Sequence, residues 1–145
     1  MSKVIFTNSD GTVSIMTPIE GTAEECAKRD LPDGTSYEIV DDSVIPTDRS
    51  FRNAWKQNGK TIETDMTKAR EIHKTNIRTA RATKFTELDV EFQKALETSS
   101  STTDIVSKKQ ALRDAPADSA ISSASDEAAL KTQWNTSILG DSPYS

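Results

Sequence analysis

The sequence is poor in the side chains that build a protein core. Only 34% of its 145 residues are hydrophobic and 6% are aromatic, whereas apolar residues, glycine included, make up roughly 45 to 50% of typical soluble domains. Its longest apolar runs are three residues, as in Val4 to Phe6, too short for a signal peptide or a membrane span. We therefore expect a thin core completed by a partner, no membrane insertion, and synthesis in the cytoplasm.

Cysteine and histidine occur once each, as Cys26 and His73. A lone cysteine cannot form an internal disulfide, so Cys26 is either a buried thiol or the site of a disulfide to another chain. His73 lies between Arg70 and Lys74 in a helical pattern, which indicates a solvent-exposed helix residue. The sequence offers no set of metal ligands, no nucleophile with its base and no glycine-rich phosphate loop. We expect no catalysis, no cofactor and no metal.

A basic surface is missing as well. The net charge is −5 and the pI is about 4.9, and the densest run of lysine and arginine, in residues 68–84, is interspersed with or flanked by acidic residues. Affinity for nucleic acid comes mainly from clustered basic side chains. We therefore expect no nucleic-acid partner.

The first 63 residues have the pattern of a small β-rich module. Residues 3–7 and 12–16 alternate around an Asp10-Gly11 turn and predict a hairpin. Thr22 and Glu25 form a capping-box pattern for a helix of about two turns. A third strand is predicted over 36–40, and an Asn58-Gly59 turn precedes a last strand at 61–63.

The segment 47–55 concentrates large aromatic and arginine side chains. Phe51 and Trp55 either seal the small core, with Arg49 and Arg52 paired to nearby aspartates, or the four residues form a binding surface, since Trp and Arg are enriched at interface hot spots. Arg49, Phe51, Arg52 and Trp55 are thus the candidate partner-binding residues.

Helix dominates after residue 64. An apolar stripe without Gly or Pro predicts one long helix over 64–97, and Phe85, Leu88, Phe92 and Leu96 either pack on later helices or mediate self-association. A Ser/Thr run at 98–103 predicts a loop, and two shorter helices are expected near 103–115 and 125–134. The predicted class is α+β, with a β-rich docking module (1–63), a long helix (64–97), and C-terminal helices with a tail (98–145).

Several segments resemble small proteins of tailed bacteriophages that are encoded among tail and tail-fibre genes. The resemblance runs through Tyr37 to Trp55, Asp65 to Ile72 and Arg81 to Leu96, and ends in the Leu112-Arg113-Asp114 sequence before Pro116. The chain is similar to tail-fibre assembly and tail assembly chaperone-like proteins. The resemblance implies a virion protein near the fibres or baseplate, made in the host cytoplasm, which binds other tail proteins and self-associates, with a homotrimer as one arrangement. A tail-fibre assembly chaperone that is not retained in the virion is the alternative.

Overall fold

The structure, a computed structural model, describes residues 1–144, and its class is α+β as the sequence predicts. A small antiparallel β region comes first, and a long helix with shorter helices follows. The chain divides into two compact units between Ala69 and Arg70, which we call the N-terminal unit and the C-terminal unit. The three segments predicted from the sequence were defined by their secondary structure. The two units are instead defined by which residues lie close together in space.

The N-terminal unit is built on a three-stranded antiparallel sheet. Its strands are β1 (Ser2–Thr7), β2 (Val13–Met16) and β3 (Tyr37–Asp41), in the order β2-β1-β3. Val4 of the central strand lies opposite Met16 on one side and Ile39 on the other. The β1–β2 pairing confirms the predicted hairpin.

The turn of this hairpin depends on two residues. Gly11 has a φ of +83°, a conformation that side chains with a Cβ rarely adopt. The carboxylate of Asp10 accepts hydrogen bonds from the backbone N–H of Thr12 at 2.9 Å and from its hydroxyl at 2.6 Å. Both bonds lower the pKa of Asp10, and the bond from the hydroxyl has the larger effect.

Both faces of the sheet are covered, which explains why neighbouring residues of β1 are both buried. Successive strand residues point to opposite faces. Val4 packs with Ala27 of helix α1 (Ala23–Asp30) on one face, and Ile5 packs with Trp55 on the other. Trp55 opens strand β4 (Trp55–Asn58), which pairs with β5 (Thr61–Thr64) in a second hairpin.

Helix α1 begins with the predicted capping box. The backbone N–H of Glu25 donates to the Thr22 hydroxyl at 3.2 Å, and the Glu25 carboxylate accepts from the backbone N–H of Thr22 at 2.8 Å. These two bonds satisfy backbone donors that a helix start leaves without partners. The bond from the Thr22 backbone is also the main reason that the pKa of Glu25 is lowered.

Two antiparallel helices form a hairpin, which belongs to the C-terminal unit except for the first four residues of its first helix. Helix α2 spans Met66–Glu97 and α3 spans Thr103–Asp114, and Ser99 turns the chain between them with a φ of +55°. Along the hairpin, Arg81 donates to the carbonyl of Arg113, and farther on Asp89 pairs with Lys109. Within residues 1–144, no helix combines the length and apolar character needed to cross a membrane.

Three short helices complete the C-terminal unit: α4 (Ser119–Ser123), α5 (Glu127–Thr132) and α6 (Thr136–Leu139). Each contributes one buried aliphatic side chain, namely Ile121, Leu130 and Leu139. The sequence predicted a connection at 117–125 and a last helix reaching Trp134. The structure differs because Asp118, Asp126 and Asn135 each cap a separate short helix with their side chains.

Candidate functional site

The segment around Phe51 separates its rings from its charges. Phe51 is 0% and Trp55 1% exposed, whereas Arg49 and Arg52 are exposed. A short 3-10 turn produces this split, with the N–H of Arg52 donating to the carbonyl of Arg49 at 3.1 Å and the N–H of Ala54 to that of Phe51 at 2.8 Å. The two rings therefore belong to the core, and only the two arginines can meet a partner directly.

Two of the aspartates expected to pair with these arginines, Asp41 and Asp42, have other partners. Asp41 accepts a hydrogen bond from the backbone N–H of Ser43 at 3.0 Å, which is the main cause of its lowered pKa. Asp42 lies 3.6 Å from the ammonium of Lys3. Arg49 and Arg52 are exposed, and guanidinium groups are well suited to bind an acidic group.

The four candidate self-association residues of α2 do not share one environment. Leu88 is buried and Phe85 and Phe92 are partly buried, whereas Leu96 is 54% exposed. The guanidinium of Arg113 lies 5.9 Å from the Phe85 ring centre, and the ammonium of Lys109 lies 5.0 Å from that of Phe92. Helix α3 of the same chain thus covers both rings, and Leu96 is the member of the set with most of its surface in solvent.

His73 is not the solvent-exposed helix residue that its neighbours in the sequence indicated. It is completely buried. Its Nδ1 lies 2.6 Å from the Tyr144 hydroxyl, and its Nε2 lies 2.8 Å from the carbonyl oxygen of Gln133. The Tyr144 ring stacks on the imidazole at 5.6 Å between centres, and the Trp134 ring meets its edge at 6.1 Å. The prediction was wrong because these partners lie 60 and 71 residues away along the chain.

The hydrogen-bond partners of His73 determine which ring nitrogen carries the proton. A carbonyl oxygen only accepts hydrogen bonds, so Nε2 donates to Gln133 and, in the neutral ring, Nδ1 accepts from the Tyr144 hydroxyl. That hydroxyl in turn accepts from the side-chain amide of Asn76 at 3.1 Å. Burial lowers the pKa of His73 from its ordinary value of 6.5, and the bond to Gln133 opposes this only in part. The buried ring is therefore neutral at pH 7.

The sequence contained only a weak signal for this cluster. Trp134 was predicted to point inward, and it is half-buried with its indole N–H donating to the carbonyl of Gly140 at 3.0 Å. His73 and Trp134 lie far apart in the sequence, and neither local pattern indicates that the two side chains meet. Tyr144 was assigned to a loose tail, and no local pattern marks it as a partner.

Cys26 lies on the inner side of α1 and is 2% exposed. Its thiol donates to the backbone carbonyl of Glu20 at 3.2 Å, and an N–H of Arg29 lies 3.8 Å from the sulfur. This placement fits the interpretation of a buried thiol. A disulfide with another chain would require α1 to detach first.

A cavity of about 620 Å³ lies in the C-terminal unit. Among the described residues that line it, Asp114 and Asp118 are the only two with carboxylates. Asp118 caps α4 through a 2.9 Å bond from the N–H of Ala120, and Asp114 accepts from the side-chain amide of Gln110 at 2.9 Å. Their structural bonds account for both groups. Nor do three or more His, Cys, Asp or Glu side chains converge as metal ligands anywhere in residues 1–144.

Two features therefore stand out as candidates for function: the exposed Arg49–Arg52 pair above its buried rings, and the buried cluster centred on His73. The first can contact another molecule directly, and the second can respond to protonation. No family model, no curated protein and no solved structure matches this chain.

Proposed function

We propose that this chain is a structural component of a bacteriophage tail, near the fibres or the baseplate, which acts by docking on other tail proteins and by self-association. The resemblance of residues 37–55, 65–72, 81–96 and 109–116 to small phage tail proteins supports this proposal. The geometric observation that carries it is the segment 49–55, where two buried rings hold two exposed arginines on one short turn.

The docking surface in this proposal consists of Arg49 and Arg52. The backbone that carries them is anchored because the neighbouring Phe51 and Trp55 are in the core, so less backbone freedom is lost when they bind. Arginine is enriched at binding hot spots and pairs with carboxylates through two parallel hydrogen bonds. The expected partner surface on a neighbouring tail protein is therefore acidic.

Self-association is proposed through the apolar side chains that the α2–α3 hairpin leaves exposed. Leu96, Val90 and Val106 are each about half exposed, and a second copy of the chain is the proposed occupant. This replaces Phe85, Leu88 and Phe92 as the expected contacts, because α3 lies against the two rings and Leu88 is buried. Light scattering on the purified chain measures the copy number, for which a trimer is the proposed value.

The decisive experiment is mass spectrometry of purified virions of the phage that carries this gene. The proposal requires the chain in the virions, in fixed proportion to known tail proteins after extensive washing. Its absence from virions would overturn the structural role. If the absent chain instead copurifies with a fibre protein from infected cells, it is the assembly chaperone considered above.

A charge-reversal series tests the docking surface in the same system. We expect Arg49→Glu and Arg52→Glu each to reduce incorporation into virions by at least tenfold, because each places a carboxylate against an acidic partner. Lys60→Glu is the matched control, since it makes the same charge change at an exposed turn position of the same unit. Equal incorporation of all three variants would rule out the arginine pair as the docking surface.

A further inference from the structure

A partly buried polar cluster joins residues 133–144 to α2, in addition to the packing of the buried Leu139 in that segment. The cluster consists of His73 and Asn76 on α2, the carbonyl of Gln133, and the Tyr144 hydroxyl. It joins both ends of the segment 133–144 to a single turn of the helix. We call these four residues the His73 clasp.

Every hydrogen bond of the clasp has a defined direction when the imidazole is neutral. Asn76 donates to Tyr144, Tyr144 donates to Nδ1, and Nε2 donates to Gln133. A proton added to Nδ1 turns that nitrogen into a donor. The Tyr144 hydroxyl then has donors on both sides and can no longer give its own proton to His73.

Among residues 1–144, the partners of the two ring nitrogens of His73 are a hydroxyl and a backbone carbonyl, and neither is a carboxylate. On α2, Arg70 lies one turn before His73 and Lys74 follows it, and Lys74 is paired with Glu71 at 3.3 Å. From α5, the ammonium of Lys131 lies 5.8 Å from the centre of the Tyr144 ring. A buried positive charge that is not paired with a carboxylate is costly.

We propose that the His73 clasp is an acid-sensitive latch: protonation of His73 releases residues 133–144 from α2 while the α2–α3 hairpin stays formed. Release uncovers the side of α2 that carries Ile77, which lines one cavity together with Trp134 and Leu139. The latch is independent of the tail-protein proposal, because it rests only on contacts within the C-terminal unit.

The direction of the pH effect follows from linkage. Burial lowers the pKa of His73 in the closed state, whereas the released state has a pKa near the ordinary 6.5. The released state therefore binds more protons between these two pKa values. The stabilising effect of the clasp is complete above pH 6.5, decreases as the pH falls below 6.5, and stops changing below the lowered pKa. Within that window the ratio of released to closed chains rises as the pH falls, by at most about tenfold per pH unit.

Amide hydrogen exchange on the full chain, read by mass spectrometry and corrected for the intrinsic pH dependence, tests this proposal. Between pH 7.5 and 5 we expect residues 133–144 to lose protection once the pH falls below 6.5, by at most about tenfold per pH unit, while residues 103–114 keep theirs. Because His73 is the only histidine, no other side chain ordinarily titrates in this window. A segment whose protection does not change with pH, or a loss shared equally by α3, would overturn the latch.

Two variants assign the response to the clasp. His73→Gln keeps a neutral polar side chain that cannot titrate in this range, and we expect its exchange at 133–144 to be independent of pH. Thr83→His is the control, because it adds an exposed histidine on α2 and leaves the clasp intact; it should respond as the parent chain does. If His73→Gln does not fold, Tyr144→Phe provides the test: loss of one hydrogen bond should raise the released fraction at pH 7.5 by about two- to tenfold. An unchanged fraction in Tyr144→Phe would contradict the proposal.

Discussion

Thr22 shows how one hydroxyl stabilises an element of this protein. Its oxygen accepts from the backbone N–H of Glu25, a donor that otherwise has no partner inside the helix. We expect Thr22→Ala to lower the free energy of unfolding by about 1 kcal/mol, measured by urea titration with circular dichroism. Thr47→Ala, at an exposed position outside the helices and strands, is the control and should change it by less than about 0.5 kcal/mol. Equal losses in the two variants would contradict the assignment.

At the same scale, Thr22 and His73 show what a local pattern can and cannot reveal. The capping box is complete within four residues, so the spacing of Thr22 and Glu25 was sufficient to predict it. The environment of His73 depends on Tyr144, 71 residues away. The nearby basic residues Arg70 and Lys74 indicated a solvent-exposed position for His73. A helix, however, turns Lys74 about 100° from His73, so the two side chains have different surroundings.

The α2–α3 hairpin is the element whose stability can be divided between charge and packing. Lys109 pairs with Asp89 and lies over the Phe92 ring, whereas Leu112 is 1% exposed. The Asp89 side chain is largely in solvent, so the ion pair contributes little. Packing of the aliphatic side chains must therefore hold the two helices together.

This view predicts unequal effects from two substitutions one turn apart. Leu112→Ala should cost about 2 to 5 kcal/mol because it leaves a cavity. Lys109→Met keeps an apolar side chain of similar length and loses only the charge, so it should cost less than about 1 kcal/mol. Urea denaturation of both variants gives the comparison. A Lys109→Met loss as large as that of Leu112→Ala would show that charge is the dominant contribution.

Short helices are the elements that the sequence predicted least well. Helices α4 and α6 span five and four residues, too few for an apolar repeat to appear, and each buries one aliphatic side chain. Their caps, Asp118 and Asn135, are residue types that loops also favour. Helix α2, in contrast, was predictable because it is long enough for its apolar repeat to appear.

On the scale of the whole molecule, the small apolar content is divided between two compact units. The N-terminal unit buries Ile5, Val40 and Trp55, and the C-terminal unit buries Leu112 and Leu130. The low hydrophobic fraction predicted a thin core, and the division between Ala69 and Arg70 makes each core smaller still. No composition statistic could have located that division, because it depends on which residues meet in space.

A test at this scale is to damage one core and examine both units. Trp55→Ala should cost about 3 to 5 kcal/mol, and we expect exchange protection to fall throughout β1, β3 and β4 while α3 and α5 keep theirs. Arg52→Ala, on the same turn but exposed, should leave both units within about 0.5 kcal/mol of the parent chain. Equal loss of protection in the two units after Trp55→Ala would mean that the cores unfold as one.

The single thiol gives the chain a built-in chemical reporter. Because the Cys26 sulfur is enclosed beneath α1, a maleimide reagent can reach it only during excursions in which that helix lifts from the sheet. In the regime where reclosing outpaces alkylation, the labelling rate measures the population of those excursions. Thiol modification would then follow the integrity of the N-terminal sheet face without any engineered label, and it would rise in Thr22→Ala before the chain unfolds globally.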